Sequence, residues 1–229
     1  MLNDNWLIEK LDTIDSTQNY AKNLKTYGKQ IALLAKEQTS GYGQHGRKWI
    51  GVEGNLYLSL VIPADNITSD ITLVTAIAIG DVILRHGIYI QYKWVNDLLI
   101  DGKKVGGILT EYYNGNLIIG IGLNLKGNPE DIINLKTTNL FKYGMDIPTE
   151  TCLDYILSSF TINYNKWLQG GFKLFKNIWK AHAYKLYDNV TITYGDIIID
   201  GVFIDIDDNG HIIIETSSGI YSLQQGSLR

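Results

Sequence analysis

A single cysteine, Cys152, stands in 229 residues. That excludes an internal disulfide framework and a cysteine-rich zinc site, and it fits a reducing compartment, so a cytoplasmic location is expected. Basic residues are not in excess: 20 Lys and Arg against 24 Asp and Glu leave a formal charge of −4. No global positive field draws the chain to nucleic acid or an anionic membrane, and any phosphate site must be local. No apolar run approaches the roughly 18 residues of a spanning helix. The opening MLNDNWLIEKLDTIDSTQNY has no basic stretch followed by an apolar one, so neither a signal peptide nor a membrane segment is expected. Internal repeats and low-complexity linkers are missing as well. What is present is 45% hydrophobic residues, enough for one sizeable domain or a main domain with a small appendage.

Asp15-Ser16 precedes TQNYAKNLKTY, closed by Gly28, which predicts a capped helix. Strands are expected over Ile31 to Glu37 and over NLYLSLVIP, ended by Pro63, with a glycine-bearing segment, Ser40 to Gly54, between them. Ser69-Asp70 predicts the cap of an apolar helix through His86, followed by a strand YIQYKW and a polar turn VNDLLIDGKK. VGGILTEYY and NLIIGIGLNL flank Asn114-Gly115, a dipeptide that tolerates positive φ and predicts a tight hairpin. Two amphipathic helices, about 150–169 and 172–184, direct Tyr155, Ile156, Phe160, Phe175, Ile178 and Trp179 to the core. From Asn189 the texture turns to short strands with glycine turns, which suggests a small antiparallel barrel packed directly on the first part.

Gly41-Tyr42-Gly43-Gln44-His45-Gly46-Arg47-Lys48-Trp49 fits G-x-G-x-x-G. A dinucleotide fingerprint needs a helix to begin at the glycines, whereas this continuation reads as loop and then strand. A kinase glycine loop is excluded because no HRD or DFG follows. What is left is a loop offering backbone N–H groups to an anion, Arg47 and Lys48 for phosphate or carboxylate, and Trp49 as a flat face for a purine. The same residues also read as a surface turn with a half-buried indole. Lys93 through Gly107 gathers an amide, Asp97 and Lys104; Asp97 suits magnesium and Lys104 a reacting anion, but a hairpin with solvated lysines fits equally. Gly120-Ile121-Gly122-Leu123-Asn124 ends an apolar strand with an amide that either reads a base or ribose or closes a turn.

In their joint order these blocks resemble the biotin protein ligase family, in its monofunctional form without an N-terminal DNA-binding domain. The matching residues are Asp15-Ser16-Thr17 with Asn19, Glu37 to Gly41, Gly43, Gly46 to Trp49, Gly54 to Ser59, Lys93-Trp94, Asn96 to Leu98, Lys104 to Leu109, Gly120 to Asn124 and Gly226 to Arg229. The resemblance implies an α+β fold: a mixed-sheet, class II synthetase-like (biotin/lipoyl ligase) catalytic domain over residues 1–186 and a small C-terminal SH3-like β-barrel over 187–229. It also implies that biotin and ATP, with Mg2+, form biotinyl-5′-AMP, and that a lysine of a carboxylase's biotin carboxyl carrier domain takes the acyl group.

The resemblance further implies site roles. Ser16, Thr17 and Gln38 would hydrogen-bond the ureido ring of biotin, with Gly41, Gly107, Gly120 and Gly122 allowing close backbone approach. Lys104 and Arg47 would serve catalysis on the carboxylate and phosphate. Lys48, Trp49, Asn124 and Arg229 would bind ATP beside Arg47, and Asp97 would serve magnesium or the incoming lysine. Neither DNA nor a membrane is an expected partner, and a homodimer fits the family. The chain departs from the pattern at Tyr42 and Gln44, where the loop usually carries cations, and at Val95, where it usually has proline. Losing that proline costs about 0.4–1 kcal/mol of unfolded-state entropy, too little to remove activity. Two other readings compete: a lipoate or octanoate protein ligase of the same fold, whose Arg-Arg-x-Ser-Gly-Gly-Gly loop is not matched here, and a non-catalytic biotin-binding protein.

Overall fold

The computed structural model describes residues 6–64, 68–127 and 136–229; the first five residues of the segment read for a leader lie outside them. It opens on an edge strand that the sequence reading missed, β1 (Trp6–Ile14), whose faces alternate only weakly between buried and exposed. A short helix α1 (Thr17–Lys22) follows, capped by Ser16, whose side chain accepts from the Asn19 N–H. The expected continuation to Gly28 does not form: the helix ends at Lys22 with Asn23 as its C-cap, and Tyr27 and Gly28 take positive φ in a separate turn further on. Next come β2 (Gln30–Gln38), β3 (Leu56–Pro63) and α2 (Ile71–Arg85), a helix buried on nearly every side, as its continuous apolar composition requires. Asp70 precedes α2 but does not cap it by side chain. Its carboxylate instead accepts from Trp167 Nε1 at 2.8 Å and from the Thr68 hydroxyl.

The stretch read as a polar turn contains a strand. β4 (Gln91–Lys93) pairs antiparallel with β5 (Asp97–Ile100), which joins β6 (Lys103–Tyr113) through Asp101-Gly102. Leu98, Leu99 and Ile100 are buried, and that apolar run makes a strand of what the flanking polar residues disguised. The Trp94–Val95 peptide is cis. β7 (Asn116–Leu123) closes the predicted hairpin, with Asn114 and Gly115 both at positive φ. The seven-stranded sheet runs β1-β2-β3-β7-β6-β5-β4, with β1 and β2 parallel and the remaining ladders antiparallel, the mixed sheet that was expected.

Helices α3 (Thr149–Gly170) and α4 (Lys176–Ala181) follow as expected, the second shortened by a 3-10 turn at Phe172–Leu174. Ile156, Phe160, Phe175 and Trp179 are buried, but Tyr155 and Ile178 face solvent, so the two assigned to the core by spacing alone were misplaced. Cys152 is buried, and burial pushes its thiol up to about 12, which leaves it inert. Among the described residues no helix is long and apolar enough to cross a membrane.

The C-terminal strands β8 (Asn189–Tyr194), β9 (Ile197–Ile206), β10 (Ile212–Thr216), β11 (Gly219–Leu223) and β12 (Ser227–Leu228) form an antiparallel sheet in the order β11-β10-β9-β8-β12. Apolar and charged contacts dock it on the first part. The Trp179 and Phe203 rings lie 6.5 Å apart, Trp94 Nε1 donates to the Gly210 carbonyl at 3.1 Å, and Lys180 pairs with Asp205 at 2.7 Å. This docking brings the chain's last residues back to the large sheet.

Candidate functional site

A cavity of about 1230 Å³ opens over the centre of the large sheet. It is lined by β6 and β7, the start of α1, the glycine loop and Gly226 to Arg229. Its floor is glycine. Gly107 and Gly122 face each other across β6 and β7, and Gly120 sits opposite Ser59 of β3. Side chains are missing where neighbours press closest: a Cβ on Gly120 would stand 3.0 Å from the Gln18 amide, and one on Gly122 only 2.5 Å from Trp49 Cε2 and Cζ2.

One wall is a hydrogen-bonded set of hydroxyls and amides. Thr17 donates to Gln38 Oε1 from its backbone nitrogen at 2.7 Å and from its hydroxyl at 3.0 Å. Ser59 Oγ lies 2.8 Å from Thr17 Oγ and 2.9 Å from Gln18 Oε1, and its single proton serves one of them at a time. Ser16 lines the same wall, with its hydroxyl engaged in the α1 cap. Gly41 does not line the cavity. It stands behind Gln38, where a Cβ would come within 2.9 Å of Gln38 Nε2, so its missing side chain leaves room for that amide. Gln18, buried and in contact with this set, escaped the sequence reading although it adjoins the Asp15-Ser16-Thr17 block.

The opposite wall is cationic. Lys104 Nζ lies 2.5 Å from Asp97 Oδ1, both side chains being 17% exposed, and 5.3 Å from the Trp49 ring. Burial lowers Lys93 below the usual lysine range; Asp97 pulls the other way, and Lys104, Lys185 and Arg47 add to the lowering. An arriving anion relieves that crowding of like charge. Lys93, Lys136 and Lys185 also line the cavity; Lys93 was noted within its motif but given no role, and Lys136 and Lys185 lie outside the motifs. Arg47 and Lys48 are exposed, and Arg229 reaches the rim while its backbone pairs with Thr191.

The loop folds on itself. Gly43 N–H donates to the Arg47 carbonyl at 2.7 Å and Trp49 N–H to the Gly41 carbonyl at 2.9 Å. His45 and Gly46 take positive φ, which bars the helix a dinucleotide fingerprint needs. The indole of Trp49 lies on the glycine floor, with its buried Nε1 lacking a hydrogen-bond partner. Asn124 lines the cavity, and its amide also donates to the Thr138 carbonyl at 3.0 Å and accepts from Asn55 at 3.4 Å, so it braces the 136–140 segment as well. For magnesium the fit is partial: no cluster of three potential ligands occurs among the described residues, and the acids on the cavity wall are Asp97, already paired with Lys104, and Asp101. An ion here would be held chiefly by phosphate oxygens, with Asp97 as its protein carboxylate.

The model of the biotin/lipoate A/B protein ligase family matches residues 11–128, and that of the biotin protein ligase C-terminal domain matches residues 188–227. The bifunctional ligase/repressor BirA of Bacillus spizizenii is 30% identical over 233 aligned residues, covering 95% of this chain and 72% of that protein. A biotin–[acetyl-CoA-carboxylase] ligase of Paracoccus denitrificans is 35% identical over 109 residues, 43% of this chain and 45% of that one. The structure of an Aquifex aeolicus biotin protein ligase in complex with biotin and ATP superposes with a TM-score of 0.86 at 31% identity, covering 97% of both chains.

Proposed function

The chain belongs to the biotin/lipoate A/B protein ligase family, and on that premise we propose how its cavity works. It is a biotin protein ligase that activates biotin with ATP and passes it to the carrier lysine of a biotin-dependent carboxylase. A match to the biotin-specific C-terminal domain favours biotin over lipoate or octanoate. The observation that carries the reading is the position of Lys104, an ammonium set between a glycine floor and an indole.

A carboxylate resists attack by an amine, so it is first joined to AMP, which then leaves. Bringing the biotin carboxylate onto the α-phosphorus opposes two anions, and a pre-placed cation in a site with little water offsets that repulsion. Lys104 supplies it. Asp97 holds the ammonium in place until the anions arrive and is the carboxylate to meet magnesium, which when bound neutralises phosphate charge. Thr17 and Gln38 present hydroxyl and amide to the ureido ring, with Ser16 beside them and Gly107, Gly120 and Gly122 giving the bicycle its floor. Arg47 and Lys48 meet phosphate, Trp49 stacks on adenine, and Arg229 closes the nucleotide side.

We assign residues 1–186 to catalysis and 187–229 to a second unit, supported by the start of the C-terminal match at residue 188. We propose that this second unit is a small SH3-like barrel, a reading supported by the register shift between Ile213 and Ile214, an irregularity of the kind that bends a sheet. The formal charge of −4 favours a ligase that does not bind DNA, and a two-fold homodimer is proposed on family resemblance alone. ATP–pyrophosphate exchange measured with biotin, lipoate and octanoate side by side tests the whole reading. Exchange dependent on biotin alone is expected; exchange with lipoate only, or with none, overturns it.

A further inference from the structure

Tyr42 stands where the ligase family more often carries a cation, and its surroundings give the phenol a task of its own. Tyr42 OH donates to Glu111 Oε2 at 3.0 Å and accepts from Lys22 Nζ at 2.9 Å, so a single hydroxyl proton satisfies both bonds. Lys22 Nζ is also 2.8 Å from Glu111 Oε1 and 5.5 Å from the Tyr42 ring centroid. The Lys22 and Glu111 side chains are only 25% and 27% exposed, which shields their attraction from the screening that weakens surface pairs. Gln18 Nε2 donates to the same Glu111 oxygen at 2.9 Å, and Gln18 in turn meets Ser59 in the cavity wall. Helix α1, strand β6 and the glycine loop thus converge on one carboxylate.

We propose that Tyr42 is a positioning residue: it latches the glycine loop onto the Lys22–Glu111 ion pair and so holds Arg47 and Trp49 over the cavity before the nucleotide arrives. The bonds from Gly43 to Arg47 and from Trp49 to Gly41 shape the loop internally, whereas the Tyr42 bonds fasten it to the body of the protein. Burial works against the charge on Lys22, but its hydrogen bonds to Glu111 and Tyr42 outweigh it and keep the ammonium above its usual range; burial likewise pushes the Tyr42 phenol up. Both groups therefore stay protonated through neutral pH. What Arg47 and Trp49 do once held rests on the ligase reading, but the latch itself does not.

Trypsin reads the latch directly, because Arg47 and Lys48 are exposed within the loop it fastens. Tyr42→Phe keeps the ring and removes both hydrogen bonds; Lys22→Met removes the cation. Each single variant should be cleaved after Arg47 or Lys48 about tenfold faster than the parent, the scale of a lost charge-assisted hydrogen bond. The double variant should be cleaved no faster than the faster single one, since both act on one device. In the ligase assay KM for ATP should rise by a similar factor with kcat nearly unchanged, because an unlatched loop taxes binding rather than chemistry. Unchanged cleavage in Tyr42→Phe, multiplying effects in the double variant, or a fall in kcat at constant KM would each overturn the latch. A parent protein with no biotin-dependent exchange sinks the ligase reading, while the cleavage cycle still decides the latch.

Discussion

The two sides of the cavity are built differently. On the floor side Gly107, Gly120 and Gly122 are locked in β6 and β7, and Thr17 is tied to Gln38 by two hydrogen bonds. On the loop side Arg47 and Lys48 are exposed, and Trp49 is positioned by a turn whose bonds are mostly internal. A sheet presents fixed donors to a small rigid ring, whereas a loop fastened to the body at Tyr42 and otherwise bonded to itself can adjust to a flexible triphosphate as it binds. Lys104 belongs to the rigid side yet faces the loop, which suits a group that must meet both substrates.

The largest effect is expected at that junction. Removal of a pre-placed charge of this kind costs on the order of 100- to 1000-fold in rate, so Lys104→Ala should cripple single-turnover adenylate formation while changing biotin affinity far less. Adenylation near the parent rate would remove Lys104 from the mechanism.

Substituted glycines sharpen the contrast between rigid and yielding parts. A Cβ on Gly106 would stand 2.4 Å from Leu123 Cδ2 and 2.9 Å from the Gly122 carbonyl, inside the packed sheet. Gly106→Ala should therefore lower stability by about 1–3 kcal/mol in denaturant unfolding. A Cβ on Gly122 meets the Trp49 indole instead. Gly122→Ala should leave the unfolding midpoint close to the parent value and shift tryptophan fluorescence, because the loop gives way. Equal destabilisation by both variants would deny the loop its freedom.

Trp49→Ala tests the loop alone. Base stacking on an aromatic side chain is worth about 1–3 kcal/mol, so ATP affinity by calorimetry should fall by that amount with biotin affinity nearly intact. Unchanged ATP affinity would return Trp49 to a packing role. The smallest effect concerns Gln44, a neutral residue where the family more often has a cation. Gln44→Arg should retain more of the adenylate during turnover without acceptor, as measured in a filtrate; equal release from parent and variant would show that this position does not control escape.

Much of the floor was legible in the sequence, because small residues in an apolar alternating strand have few meanings and Asn114-Gly115 marks its hairpin. The parts that escaped were those decided by distant partners. β1 is an edge strand with little alternation, and it is a strand because β2 pairs with it. β5 hid between turn-forming residues until burial of Leu98 to Ile100 declared it. Asn124 was legible as a cavity residue but not as a brace, since Asn55 and Thr138, which engage its amide, are remote in sequence or beyond a loop. Tyr42 was visible only as a lost cation, because Lys22 and Glu111 lie 20 and 69 residues away.

Hydrogen exchange followed by mass spectrometry, with and without biotin and ATP, tests the division between floor and loop most directly. Peptides from β6 and β7 should exchange slowly in both states and gain little protection. Peptides spanning residues 41–50 should exchange faster without ligand and gain most of the protection when both substrates bind. Equal gains on the two sides, or a loop already as protected as the floor, would contradict the account.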